Sequence, residues 1–191
     1  QIRFFIVRRN NYQISSWTEL NQIRDDLAAN YILINNLSIT DEDYLDLGDN
    51  WEPLGDCGPE NQCLNENFSY TFSGNFRGNG YTIRGLKINQ PEANYLGLFG
   101  YLTGEVSGLR LTEAEISGYN FLGILAGYSK AKVSNTNVSG KIQGQKVVGG
   151  LMGIQENRGE ISNSRSDVTI IAADTLGGLV GTNEGEIRSS Q

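Results

Sequence analysis

Four acidic residues are the first candidates for chemistry in this sequence. Asp41, Asp43, Asp46 and Asp49 share one short polar stretch. Carboxylates spaced this way in a flexible loop are the ligand type of calcium, which takes about six to eight oxygens. The EF-hand loop spacing is missing, so an exposed acidic loop is the preferred reading over a calcium site. These four are also the candidate binding residues, and calcium is the one cofactor the sequence suggests.

Paired carboxylates raise a second chemistry, glycosidic bond cleavage, which needs an acid and a base or nucleophile on one face. Glu113 and Glu115 flank Ala114 and would point the same way on a strand. Glu156, Glu160, Glu184 and Glu186 follow glycine-rich blocks. Solvated turn and outer-face charges are the preferred reading, because no segment gathers acids with an aromatic platform and a base. The chain has no histidine, which excludes Ser-His-Asp and Cys-His catalysis and histidine metal sites. Gly74-Asn-Phe-Arg-Gly-Asn-Gly80 lacks the Lys-Ser/Thr of a phosphate-binding loop and reads as a turn.

Cys57 and Cys63 lie in the same polar stretch, Gly55-Asp-Cys-Gly-Pro-Glu-Asn-Gln-Cys63. Two cysteines alone cannot build a structural zinc site. A local disulfide and an oxidising compartment are the reading preferred here over a reduced cytosolic pair.

What elements would position such residues? The 191 residues carry a net charge of −7, so clustered Lys and Arg for nucleic acid or anionic membrane are missing. The longest apolar stretch, Val147 to Ile154, contains three glycines and is far too short to span a bilayer. Ile2–Val7 is too short for the apolar region of a signal peptide, so any export signal is expected to have been removed. Glycine, at 24 residues, recurs with aliphatics, which suggests many short strands and tight turns.

The organising feature is a repeat. Gly97-Leu-Phe-Gly100, Gly123-Ile-Leu-Ala-Gly127, Gly149-Gly-Leu-Met-Gly153 and Gly177-Gly-Leu-Val-Gly181 end 27, 26 and 28 residues apart. A second block follows each: Val106-Ser-Gly-Leu-Arg-Leu, Val133-Ser-Asn-Thr-Asn-Val, Ile161-Ser-Asn-Ser-Arg-Ser and Ile187-Arg-Ser-Ser. A third strand-like piece follows in three units. One unit cannot bury its own apolar face, but stacked units can. The fold class expected is all-β, a right-handed parallel β-helix of about 27-residue, three-sided rungs. Leu98, Leu125, Leu151 and Leu179 should then form one internal column. Asn135, between Gly108 and Asn163 in register, should join a side-chain ladder. A Gly-rich antiparallel sandwich is the weaker alternative.

Residues 13–29 read as the only helix, with Ser16 and Glu19 as a capping box and Trp17, Leu20, Ile23 and Leu27 on one stripe. This helix, with the Ile2–Val7 strand, would cap the exposed first rung. Residues 31–94 read as leader rungs with an inserted loop at 40–67, and Asn79-Gly80 as a tight turn. A single domain over 1–191 is expected, with four repeats over 95–191. The chain stops inside the last of them, so a longer parent protein is expected.

Gly97-Leu98-Phe99-Gly100, Gly150-Leu151-Met152-Gly153 and Gly178-Leu179-Val180-Gly181 resemble the GLUG motif; Gly123 to Gly127 matches by register with Ile124 after the glycine. The stretch from Asn30 through Trp51-Glu-Pro-Leu-Gly55 to Phe72-Ser-Gly-Asn-Phe-Arg-Gly-Asn-Gly80 resembles the leader before such repeats, with Arg77 in place of the usual Asp. GLUG repeats occur in bacterial surface proteins, including adhesins and the non-catalytic region of IgA-cleaving metallopeptidases. The resemblance implies a non-enzymatic, extracellular or cell-surface spacer or adhesion module. A host glycan, a host protein or other parts of the same large protein would be its partners. A β-helix enzyme acting on polysaccharide is the alternative function.

Overall fold

A computed structural model describes residues 11–48, 50–56 and 70–191. The N-terminal part holds β1 (Asn11–Ile14), α1 (Trp17–Gln22) with a 3-10 turn at Ile23–Asp25, β2 (Asn30–Leu33), β3 (Leu37–Ser38) and α2 (Glu42–Asp46). The next turn of chain forms β4 (Asn75–Arg77), β5 (Thr82–Arg84) and β6 (Lys87–Asn89). Two full rungs follow, β7 (Asn94–Leu96), β8 (Phe99–Leu102), β9 (Glu105–Ser107) and β10 (Arg110–Ser117), then β11 (Asn120–Leu122), β12 (Ala126–Ser129), β13 (Lys132–Ser134) and β14 (Asn137–Gln143). The last are β15 (Val148–Gly149), β16 (Met152–Gln155), β17 (Glu160–Ser162) and β18 (Arg165–Ile171), then β19 (Leu176–Gly177), β20 (Val180–Asn183) and β21 (Glu186–Arg188).

Each strand pairs in parallel with its counterpart one repeat away, giving an all-β solenoid of four sheets. Their orders are β1-β2-β4-β9-β13-β17-β21, β18-β14-β10-β5-β3, β19-β15-β11-β7 and β20-β16-β12-β8. β10 is long enough to pair with both β5 and β6, and a bulge between Leu111 and Ala114 bends it. A rung therefore has four strands rather than the three pieces read from sequence. The repeat block that looked like one piece is a corner, with one strand ending just before it or on its first glycine and the next beginning inside it.

The leucine column forms as expected. Phe99 N–H donates to Leu125 O at 2.9 Å, Leu125 N–H to Leu151 O at 3.0 Å and Leu151 N–H to Leu179 O at 2.8 Å. Leu98, Leu125 and Leu151 are fully buried, and Leu179 packs on the same core. Val106, Val133 and Ile161 make a second buried column. Fully burying one such side chain stabilises by about 1.5–3 kcal/mol, so identical register in successive rungs carries the fold.

None of the repeat glycines has positive φ, and all of them except Gly178 serve close approach. A Cβ on Gly127 would lie 2.4 Å from the Tyr95 backbone, and one on Gly153 would lie 2.6 Å from Phe121 C. The corner before each repeat is thus pressed against the final glycine of the next.

Positions Gly108, Asn135 and Asn163 do align, each with positive φ. The ladder, however, sits one residue later and uses serine hydroxyls that accept backbone N–H groups. Thr136 N–H donates to Ser164 Oγ at 3.2 Å, and Ser164 N–H to Ser190 Oγ at 3.1 Å.

The N-terminal helix is shorter than its stripe suggested, because Gln13 and Ile14 join β1 and Asn30 opens β2. Pairing β1 with β2 outcompetes extension of the helix at both ends. Ser16 Oγ accepts from Glu19 N–H, but the Glu19 carboxylate turns to Ser15 N–H at 2.7 Å instead of completing the box on Ser16. Trp17, Leu20 and Ile23 are fully buried. Trp17 packs on Tyr44 at 4.5 Å and on Trp51 at 5.6 Å. Trp17 thus joins α1 to α2, a second helix that the polar composition of its segment concealed; the Ile2–Val7 strand expected beside the helix lies outside the described residues.

Candidate functional site

Two of the four acidic residues accept backbone N–H groups of neighbouring elements. Asp41 Oδ2 accepts Ser38 N–H at 2.7 Å, and Asp43 Oδ2 accepts Thr18 N–H at 2.9 Å, in the first turn of α1. Asp46 lies exposed at the end of α2. Asp49, Cys57 and Cys63 lie outside the described residues. Among the described residues, no three Asp, Glu, His or Cys come together to hold a metal ion.

Arg24 ties the segment after α2 to α1. Its Nη1 donates to Pro53 O at 2.9 Å, its Nη2 to Glu52 O and its Nε to Asn21 Oδ1 at 2.8 Å. The guanidinium also lies 5.3 Å from the centre of the Trp51 ring. Burial holds its pKa below the ordinary arginine value, against the opposing pull of Asp56 and Glu52.

The other carboxylates are dispersed. Glu113 takes φ 54° at the bulge of β10, and its Oε2 is bound by Arg84 Nε at 2.9 Å. Glu115 instead faces a depression of about 390 Å³ on the outer side of β6, β10 and β14, between Lys87 and Lys141. Glu160 and Glu186 neighbour each other on β17 and β21. Glu156 pairs with Lys130 at 3.0 Å, and Asn157 donates to Glu184 at 3.4 Å.

The structure brings together a group that the sequence reading passed over. On the outer side of β8 and β12, Tyr101 stacks over Tyr128, with ring centroids 3.9 Å apart and planes 19° apart. Beside them Tyr95 stacks on Phe121 at 4.8 Å and 17°. The Tyr95 ring centre is 6.4 Å from both Tyr101 and Tyr128. Tyr101 and Tyr128 directly follow the final repeat glycines Gly100 and Gly127. Their repeat spacing was visible in the sequence as an aromatic after the glycine in two successive units. Lys130 Nζ lies 5.9 Å from the Tyr128 ring centre, which sets the Lys130–Glu156 pair at one end of the cluster. Burial raises the pKa of Tyr101 well above the tyrosine range, with Glu156 and Tyr95 adding to the shift. Burial, then Glu184, raises that of Glu156.

Comparison with known proteins adds the following. No model of a known protein family matches the chain. Halomucin of Haloquadratum walsbyi is 32% identical over 149 residues, 74% of this chain and 2% of its own length. A candidate Gly-rich membrane protein of Evansella cellulosilytica is 34% identical over 139 residues, 69% of this chain and 15% of its own length. The chain thus spans only a small part of these relatives. The crystal structure of a candidate immunoglobulin A1 protease from Bacteroides ovatus superposes with a TM-score of 0.74 at 19% identity, covering 95% of this chain and 56% of that one. At that identity the likeness concerns the solenoid fold. Among the described residues, no helix is long and apolar enough to cross a membrane.

Proposed function

We propose that this chain is a non-catalytic segment of a cell-surface or secreted protein, built of GLUG-type repeats and acting as a rigid spacer that also binds. The observation that supports this most is the unbroken register of the sheets, β1-β2-β4-β9-β13-β17-β21 above all. Such stacking is one-dimensional: each rung contacts its neighbours, and length grows by adding rungs. Similarity to small parts of far longer proteins, one named halomucin and one a Gly-rich membrane protein, fits a segment repeated or embedded in a large surface polymer.

Spin labels at the exposed Gln13 and Arg188, six strand spacings apart in one sheet, test the spacer. With Cys57 and Cys63 replaced by Ser, they should give one narrow distance near roughly 29 Å. Removing residues 127–152, one repeat, should shorten it by about 5 Å. A broad distribution, or no shortening, would reject the rigid spacer.

A further inference from the structure

We propose that Tyr101 and Tyr128 form a site of oxidative cross-linking, in which a carbon–carbon bond between their rings ties one rung covalently to the next. The proposal goes beyond the spacer reading, which concerns stacking alone.

The first support is the geometry of the pair. Tyr101 on β8 and Tyr128 on β12 are register partners in parallel strands, so both side chains leave the sheet in the same direction. Their ring centroids are 3.9 Å apart and their planes 19° apart. Aromatic pairs usually settle about 4.5–7 Å apart, offset or edge-to-face, because directly stacked ring faces repel. This pair is closer than that and nearly parallel. The carbons beside the two hydroxyls therefore face each other near carbon contact, about 3.5–4.0 Å. Those carbons carry unpaired spin once a phenol has lost an electron and a proton.

The second support is confinement. Tyr101 and Tyr128 are 2% and 6% exposed, with Tyr70, Tyr95 and Ile154 packed against them. The enclosure holds the pair in one arrangement and keeps each ring from a partner on another molecule. Holding two reacting groups at contact distance turns a bimolecular encounter into an intramolecular step.

The third support is a route inward for oxidation. Tyr95 is half-exposed, and its ring centre lies 6.4 Å from both buried rings. An oxidised Tyr95 can draw an electron from either of them across that gap. Phe121, stacked on Tyr95 at 4.8 Å, has no phenol to oxidise, so the radical passes to the tyrosines.

The step balances with hydrogen peroxide as the oxidant, acting through a haem peroxidase. Each phenol gives up one electron and its hydroxyl proton. The two phenoxyl radicals join through ring carbons next to oxygen. The hydrogen on each of these carbons then moves to oxygen, which restores both hydroxyls. Peroxide takes the two electrons and two protons and leaves as two waters.

The test treats the full chain, with Cys57 and Cys63 replaced by Ser, with a haem peroxidase and equimolar hydrogen peroxide. The blue fluorescence of the biphenol is followed, and tryptic peptides of the monomeric product are mapped by mass spectrometry. The peptide holding Tyr101 should be joined to the one holding Tyr128, lighter by two hydrogens than their sum. Tyr101→Phe and Tyr128→Phe keep the ring and should each abolish this product. Its yield should exceed that of a link between Tyr12 and Tyr31, whose rings lie 5.6 Å apart and tilted by 30°. Absence of the joined peptide from the monomer would overturn the proposal. So would its persistence in either variant, which would assign the bond to Tyr95 or Tyr119, or a larger yield from Tyr12 and Tyr31. Should a variant lose its fold, the comparison of the two links within the parent chain still decides.

Discussion

Thr136 donates its backbone N–H to the hydroxyl of Ser164 one rung away, at 3.2 Å, and both residues are buried. Ser164 in turn donates to its own rung at Ser162 O, 2.9 Å away. The hydroxyl replaces a backbone acceptor at a corner where the sheet ladder is interrupted. Ser164→Ala should destabilise by about 1–3 kcal/mol, because a buried N–H loses its partner. Ser190→Ala, at an end where the ladder is less buried, should cost less. Denaturant unfolding of both variants checks the order; equal effects would contradict the ladder's role.

The repeat glycines should separate sharply by position. A Cβ on Gly123 would lie 2.5 Å from Met152 Cα, whereas one on Gly178 meets nothing within 4 Å. Gly123→Ala should therefore destabilise by at least about 1–3 kcal/mol, the cost of forcing atoms into a filled core. Gly178→Ala should stay within about 0.5 kcal/mol of the parent. Urea unfolding distinguishes them, and comparable losses would remove the close-approach explanation.

The same contrast shows what was legible in the sequence. Four glycine blocks at near-constant spacing announced stacking, and the leucine column followed, since period and burial are properties of the chain alone. Corner geometry was not legible. Asn79-Gly80 has the dipeptide of a two-residue hairpin, with φ of 52° and 82° and a Tyr81 N–H to Gly78 O bond of 2.8 Å. Yet β4 and β5 on either side belong to different sheets. The acidic segment was only partly legible for a related reason. A side chain capping another element is indistinguishable by sequence from a free carboxylate, so the bond from Thr18 N–H to Asp43 could not be read from the chain.

That bond leads to a third expectation. Asp43 accepts the Thr18 N–H at 2.9 Å, which lets it act as a helix N-cap supplied from outside the helix. Asp43→Ala should cost about 1 kcal/mol, by the same amount with excess calcium or with chelator. Thermal unfolding in both conditions is the measurement. A loss confined to the calcium sample would make Asp43 a ligand instead.

Arg24 should resist conservative replacement. Its fork spans Pro53 O and Asn21 Oδ1 while the same group faces Trp51, a set that a lysine ammonium cannot reproduce. Arg24→Lys should destabilise by about 1–3 kcal/mol and speed limited proteolysis near Glu52. An unaltered cleavage rate would mean that the segment is held by Trp51 alone.

Tyr31 gives the alkaline limb of stability. It is buried, its hydroxyl donates to Asp26 O at 2.6 Å, and its ring lies 5.6 Å from Tyr12. Burial first, then the charge of Asp26, pushes its pKa up to about 12. The folded chain thus keeps the phenol proton that the unfolded chain loses near about 10. The resulting stability is fully present below about pH 10 and is lost as pH rises towards about 12. Melting temperature followed over that interval should fall more steeply for the parent than for Tyr31→Phe, which has no proton to lose there. Below about pH 9 the order should reverse, because the variant lacks the bond to Asp26, worth about 1 kcal/mol. Parallel curves at all pH values would move the alkaline transition to Tyr95 and Tyr101, whose pKa values burial also raises.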